Sequence, residues 1–428
     1  MNKNLIKLAI ILLSAIFSSA SSARVLELSD RFLEFKHESQ WLVMFYAPWC
    51  GYCKKTEPVF NLVSQALHST NIRVGRLDCT KYPSVTKALP IKGYPTIMFF
   101  KGNQEFMYSG DRTKEDLVDY SLRMSSPAIQ LVTRVESIDM LKTSHKSFFL
   151  FVGEQIGTVW TTFFDVAEGF QEHGFFYATS EEIATQHFDI EHLPAVLVHK
   201  EENHYFYPHA HKAHEMTSSE VNKTMNQWVN NERFLTFPKI TRFNIRELMS
   251  TKKYLVLAVV EEDKLSQVAT HELEFRDMVE EVIRKYRHRY HDHFQFGWIG
   301  DPGIAHSIVM DNLPTPHLIV INSTTQHHHI PDDEPMQMTI NSIHIFLESI
   351  HNQSAIAYGG DSFAVRAYRS YFETKKGLVE LWKGNPVLTS VLFGLPMGFL
   401  SLILYGCFCA DCMDAPEEED EDDHEKTE

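Results

Sequence analysis

One alternation of apolar and polar positions recurs three times along the chain. Unbroken apolar runs, the mark of a strand buried on both faces, open each copy: WLVMFYA from Trp41, SFFLFVG from Ser147 and KYLVLAVV from Lys253. A segment of helical period follows each: CGYCKKTEPVFNLVSQALH, TVWTTFFDVAEGF and EFRDMVEEVIRKYRH. Next comes a second strand, NIRVGRLD, GFFYATS or FQFGWIG, and then a third with proline just ahead of it, in GYPTIMFF, HLPAVLVHK and PTPHLIVIN. Proline suits a strand start and not a strand interior, so it marks where each begins. A helix closes each copy. In the first it lies in MYSGDRTKEDLVDYSLRM, with Thr113 as N-cap and Glu115 and Asp116 in the opening turn. SSEVNKTMNQWVNNE and MTINSIHIFLESI close the other two. The pattern predicts three tandem α/β domains over 24–125, 126–233 and 234–354, then a stalk of helical patterning over 355–385.

Two apolar segments flank these domains. At the start, Lys3 and Lys7 precede an apolar run from Leu8 to Phe17 and then small residues, the three-part pattern of a secretory signal peptide over 1–23, with cleavage after Ala20 or Ala23. The second, Pro386 to Phe408, is uncharged and long enough to cross a bilayer, so it predicts a transmembrane helix over 386–408. Lys375, Lys376 and Lys383 before it and acids after it oppose the positive-inside rule, and orientation is inferred from the signal: domains lumenal, tail cytoplasmic. Eleven acids against one lysine fill 411–428, so this tail, predicted over 409–428, supplies ten of the chain's sixteen net negative charges. Such a run reads as solvated and argues against a nucleic-acid partner. Cys407, Cys409 and Cys412, at the exit of the span, are candidates for acylation.

The domains themselves hold three cysteines, Cys50, Cys53 and Cys79, far too few for a disulfide-stapled scaffold, so hydrophobic cores must hold them together. A cysteine pair three apart admits three readings: redox pair, half of a zinc site, or a small structural disulfide. A structural zinc site needs about four ligands and this region offers one pair and one isolated thiol, so no metal is expected. A structural disulfide closing so short a loop constrains the unfolded chain little. His209, His211 and His214, and His327, His328 and His329, form two clusters expected as solvated loops rather than ligand sets. Cys79 is expected as a buried, inert thiol. Asn222, Asn322 and Asn352 head N-glycosylation sequons.

The stretch APWCGYCKK, with tryptophan before the pair, two lysines after it and Tyr94-Pro95-Thr96 downstream, resembles the signature of the protein disulfide isomerases. KGYPT, DRTKED, NNERF, HFQFG, YGGDS and LFGLP extend the likeness along the whole chain to the thioredoxin-related transmembrane proteins of that family. The resemblance implies an α/β fold of three tandem thioredoxin-like domains with one transmembrane helix, the second and third domains being redox-silent. It implies a thiol-disulfide oxidoreductase of the endoplasmic reticulum membrane acting on folding client proteins, with no bound cofactor and with glutathione or another thiol/disulfide partner as redox source. Cys50, in the first turn of a helix where unpaired N–H groups favour a thiolate, is then the nucleophile and Cys53 the resolving thiol. Pro95 resembles the family's cis-proline, the Tyr94 backbone is placed to pair with an extended substrate, Trp49 is expected to pack over the motif, and Arg112 matches an arginine near the resolving cysteine. Three departures point to a detuned site. Tyr52 replaces the usual histidine and removes a cation, which predicts a less oxidising pair. Met44 stands where the family keeps a buried acid, and Met98 where a lysine pairs with it, so a proton relay is missing. A tethered chaperone or adaptor with a vestigial or regulatory redox pair is therefore the alternative.

Overall fold

The computed structural model of the protein describes residues 24–263 and 265–409. The expected signal peptide, Cys412 and most of the acidic tail lie outside the described residues. The chain divides into two compact units, one comprising residues up to 305 with 313–358, the other 306–312 with the chain from 359 onward.

The first unit contains three sheets with one plan. In the first, β1 (Leu26–Leu28), β2 (Gln40–Tyr46), β3 (Ile72–Asp78), β4 (Thr96–Lys101) and β5 (Gln104–Tyr108) lie in the order β1-β3-β2-β4-β5. The first three are parallel, and β4 and β5 run antiparallel to their neighbours. The second sheet uses β6 (Ile129–Val132), β7 (Ser147–Val152), β8 (Phe176–Thr179), β9 (Ala195–Lys200) and β10 (Asn203–Phe206) in the equivalent order β6-β8-β7-β9-β10. In the third, β11 (Tyr254–Val259) lies between a parallel β12 (Phe294–Ile299) and an antiparallel β13 (His317–Asn322), which pairs in turn with β14 (His327–His329). Its outer edge is supplied by Pro238–Ile240, bonded to both sides of Trp298 in the place that β1 takes in the first sheet. Gly75 and Gly297 mark these two crossings. A Cβ on Gly297 would stand 2.8 Å from the Pro238 carbonyl oxygen, so glycine is needed there for the edge segment to approach, whereas one on Gly75 would press on the end of the Leu28 side chain, at 2.6 Å.

The central strands are buried on both faces, as their unbroken apolar runs predict. On one face of the first sheet, Phe60 and Val63 of helix Gly51–Ala66 and Leu117, Tyr120 and Met124 of helix Lys114–Ser125 pack on Leu42, Met44 and Phe99. On the other, Phe32, Val85 and Leu89 cover Val43, Phe45, Met98 and Phe100. Thr113 caps its helix by accepting from the Asp116 amide. The three prolines that mark strand starts, Pro95, Pro194 and Pro316, each follow a cis peptide bond.

One expectation fails here. His327, His328 and His329 are not a solvated loop but strand β14, with His328 and His329 buried. His329 Nδ1 lies 2.8 Å from the Ile356 carbonyl oxygen, and the His328 ring stacks on Tyr358. Histidine is a poor strand signal, and pairing with Val320 and Ile321 overrides it. The cluster of His209, His211 and His214 does lie in a connection, with His214 in the short 3₁₀ turn Ala213–Glu215.

In the second unit, helix Phe363–Gly384 fills the predicted stalk and helix Pro386–Cys409 follows it. The latter is the one helix among the described residues long and apolar enough to cross a membrane. Cys407 and Cys409 fall in its last turn.

Candidate active site

The CGYC stretch sits where β2 hands over to helix Gly51–Ala66. Cys50 is the N-cap, extended at φ −75° and ψ 114°, and its Sγ accepts a hydrogen bond from the Cys53 amide at 3.2 Å. A sulfur in this position faces the unpaired N–H groups and positive dipole end of a 16-residue helix, where negative charge is stabilised. Cys53, one turn on, is the more deeply covered, at 3% exposure against 7% for Cys50. Both are free thiols packed with Ala47 and flanked by Tyr46 and Tyr94. Burial, then the hydrogen bond with Cys50, pushes the Cys53 thiol up to about 11, while the Ala47 backbone and the Arg112 charge act against that rise.

Arg112 lies in the turn before helix Lys114–Ser125. Its Nη2 donates to the Pro95 carbonyl oxygen at 3.1 Å, which ties the guanidinium to the proline loop facing the pair. Burial lowers the Arg112 value, and the two cysteine sulfurs oppose that. Sequence reasoning missed what lies behind it. The chain leaving the edge segment Pro238–Ile240 of the third domain places Phe243 with its ring 4.8 Å from the Arg112 guanidinium, and Thr241 Oγ1 donates to Asp111 Oδ1 at 2.7 Å. No local signal could have revealed contacts between residues 130 positions apart. Arg112→Met should therefore raise the Cys53 thiol and slow release of mixed disulfides by a few-fold at most, the Arg112 charge being the weakest of the influences on that thiol. Stopped-flow turnover against pH checks this: Arg112→Lys should restore part of the rate, whereas a purely structural role would leave the pH profile in place.

Two further expectations need correction. Trp49 does not cover the motif: it is 73% exposed, meeting Tyr94 edge-on at 6.1 Å between ring centroids, so it forms a wall of the approach. Met44 and Met98 do not face one another. In the β2–β4 register Met44 pairs with Ile97 and Met98 with Val43, so the two thioethers belong to cores on opposite faces of the sheet. Tyr52 points outward with Lys55 Nζ 5.9 Å from its ring centre. Cys79 is buried beside Leu77 and Tyr94, and burial raises its thiol to about 11.

The equivalent corner of the second domain has no thiol. Gly153–Ile156 follows β7 where the cysteine motif follows β2, and Leu193-Pro194 stands where Tyr94-Pro95 does. Between them opens a groove of about 940 Å³ whose apolar wall includes Leu131, Ile156 and Leu193. Of the sequon asparagines, Asn352 is exposed at a helix C-cap, Asn322 accepts from the Thr324 and Thr325 amides, and Asn222 sits within helix Ser218–Glu232, bonded to Asn226.

Residues 28–122 match the thioredoxin family model, and residues 154–349 match a thioredoxin-like domain model. A protein disulfide-isomerase TMX3 of Xenopus laevis is 33% identical over 96% of this chain and 88% of its own length, and the human protein of that name is 31% identical over 90% and 82%. A solved structure of human ERp44 in its zinc-bound form aligns with a TM-score of 0.34 and 16% identity, covering 77% of this chain and 92% of that one. Identity at this level, sustained across most of both chains, makes this chain, with its cysteine pair at a helix N-terminus, a member of the thioredoxin-fold protein disulfide-isomerases of the TMX3 family, and so a thiol-disulfide oxidoreductase.

Proposed function

We propose that the chain acts on disulfide-bonded clients in the lumen of the endoplasmic reticulum, anchored by Pro386–Cys409, with the Cys50–Cys53 pair exchanging electrons with glutathione or a similar thiol. The observation that carries this reading is the Cys53 amide bonded to Cys50 Sγ at the start of the helix, with the more deeply buried Cys53 one turn behind. The Cys50 thiolate attacks one sulfur of a client disulfide, forming a mixed disulfide and expelling the other client sulfur as thiolate. Cys53, deprotonated, then attacks the Cys50 sulfur and expels the second client thiolate. The client gains two electrons, and the enzyme is left with a Cys50–Cys53 disulfide. Run backwards, the same steps oxidise a client, and attack by the client's own freed thiolate isomerises it. The Tyr94 backbone ahead of Pro95 serves as the edge on which an extended client lies.

Equilibrating the full chain in detergent with glutathione and counting free thiols at Cys50 and Cys53 tests this. A potential near the lumenal poise of roughly −180 to −210 mV supports net oxidation or isomerisation, and one near −270 mV supports reduction. Failure to equilibrate overturns the reading. The Cys-free groove of the second domain favours a second role, a tethered chaperone, which requires client binding to survive the Cys50→Ser, Cys53→Ser double variant. Expressed through a secretory pathway, Asn352, exposed at a helix C-cap, is expected to carry glycan and Asn222, within a helix, to stay bare, since acceptor sequons belong to surface loops. Glycosidase shifts of Asn352→Gln and Asn222→Gln report the outcome directly.

A further inference from the structure

Helix Phe363–Gly384 is amphipathic along its whole length. At 100° per residue, Tyr368, Tyr371, Phe372, Leu378, Val379 and Trp382 fall on one half, and Arg366, Arg369, Glu373, Lys376, Glu380 and Lys383 on the other. An apolar stripe of this width ordinarily faces a protein core. Here no residue of the helix is buried, with Tyr371 61% and Trp382 54% exposed.

Two observations say what covers the stripe. The first is continuity: Gly384 is separated from the start of the apolar helix Pro386–Cys409 by Asn385 alone. Asn385 leaves the helical conformation, at φ −156° and ψ 90°, and its Oδ1 accepts from the Leu388 amide at 3.0 Å. The two helices are therefore separately capped rods with a joint between them, and the joint lies at the mouth of the span. The second is chemistry. Aromatic rings dominate the apolar half, with Trp382 nearest the span, and five basic residues against two acids make the helix positive in a chain of net charge −16. Aromatic rings and cationic side chains are what the headgroup layer of a bilayer accepts. Lys375, the one charge on the apolar half, has a stem long enough to reach the headgroups.

We propose that Phe363–Gly384 lies in the plane of the phospholipid interface, on the side of the bilayer that carries the thioredoxin-like domains, with its aromatic face in the acyl boundary and its basic face among the headgroups. The inference rests on Pro386–Cys409 being a span.

The full-length chain in phosphatidylcholine–phosphatidylserine nanodiscs, with a photoreactive benzophenone side chain replacing Tyr371, Leu378 or Glu373, tests the proposal. Phospholipid adducts, identified by mass spectrometry, should be several-fold more abundant from positions 371 and 378 than from 373. Adducts to residues 24–358, adducts to a second copy, or equal lipid labelling from all three positions would each overturn it. Carbonate extraction reports the span separately, so loss of the anchor and an upright stalk give different results. Unchanged glutathione equilibration of Cys50 and Cys53 shows that the labelled chains are folded.

Discussion

Cys53→Ala is expected to capture clients and hold them, while Cys50→Ala captures none. Both should lose turnover to background, since each removes one of the two sulfurs through which electrons pass. The difference between them follows from geometry. Cys50 is the N-cap sulfur that receives the helix N–H, so it forms the bond to the client. Cys53 lies behind it in a pocket of Ala47, Tyr46 and Tyr94, with the Cys50 sulfur as its hydrogen-bonded neighbour. Non-reducing gels should show client ladders with Cys53→Ala that collapse on adding dithiothreitol, and none with Cys50→Ala. The opposite distribution would reverse the two roles. The rate of release carries a pH signature. Burial first, then the bond with Cys50, holds the Cys53 thiol at about 11 in the reduced pair. Once Cys50 is tied up with client its contribution disappears, but burial persists. Release is therefore expected to accelerate with rising pH from neutrality through the alkaline range, by up to tenfold per unit, because only the thiolate attacks.

Glu232→Ala is expected to cost about 3–5 kcal/mol, the penalty for breaking a buried ion pair and stranding its partner. Glu232 ends the last helix of the second domain and accepts from Lys200 Nζ at 2.8 Å. Arg287 Nη2, at 3.0 Å, and His291 approach it from the third domain. Lys200 is fully buried, so removing the carboxylate leaves its ammonium with only the Glu232 and Phe234 carbonyl oxygens. Urea titration followed by tryptophan fluorescence measures the loss. Glu280→Ala, which breaks an exposed pair with Arg284, should change the unfolding free energy by no more than about 0.5 kcal/mol. Equal effects would mean that the buried cluster does not hold the two domains together. The same groups set an acid limit. Burial alone would raise the Glu232 carboxyl, but Lys200, His291 and Arg287 hold it well below the carboxylate range. Glu247, buried but paired with His173 and Arg233, is held at about 2. Folded values below unfolded ones mean stability that is whole above about pH 4.5 and drains away as pH falls toward 2. Glu232→Gln should flatten that decline.

The contrast between the three hairpins shows why some of the fold was legible and some was not. β4 and β5 meet at Gly102-Asn103, with Gly102 at φ 59°, a glycine turn between apolar runs that announces a hairpin although β5 itself alternates too weakly to be read as a strand. β9 and β10 meet at Glu201-Glu202, both left-handed at φ 49° and 69°. Nothing in two glutamates suggests such a turn. Pairing of Lys200 with Asn203 and burial of the whole of β9 impose it, against a local preference of about 1–2 kcal/mol per residue. β14 is the extreme case, three histidines made into a strand by their neighbours.

Local chemistry was readable wherever one residue's physics is enough. The chain on its own determined the proline-marked strand starts, the Thr113 cap, the double-sided apolar strands, the long apolar helix and the cysteine pair at a helix start. Each depends on the period of the chain or on a single side chain's conformational habit. Only the tertiary structure decided that Trp49 stands beside the site and not over it, that Met44 and Met98 serve opposite cores, and that Phe243 of the third domain backs Arg112. Those outcomes depend on strand register and on which distant surfaces meet. A one-residue slip in pairing reverses every side chain's face, and contacts between domains arise from shape and charge summed over many residues. Neither is encoded in any short stretch of sequence.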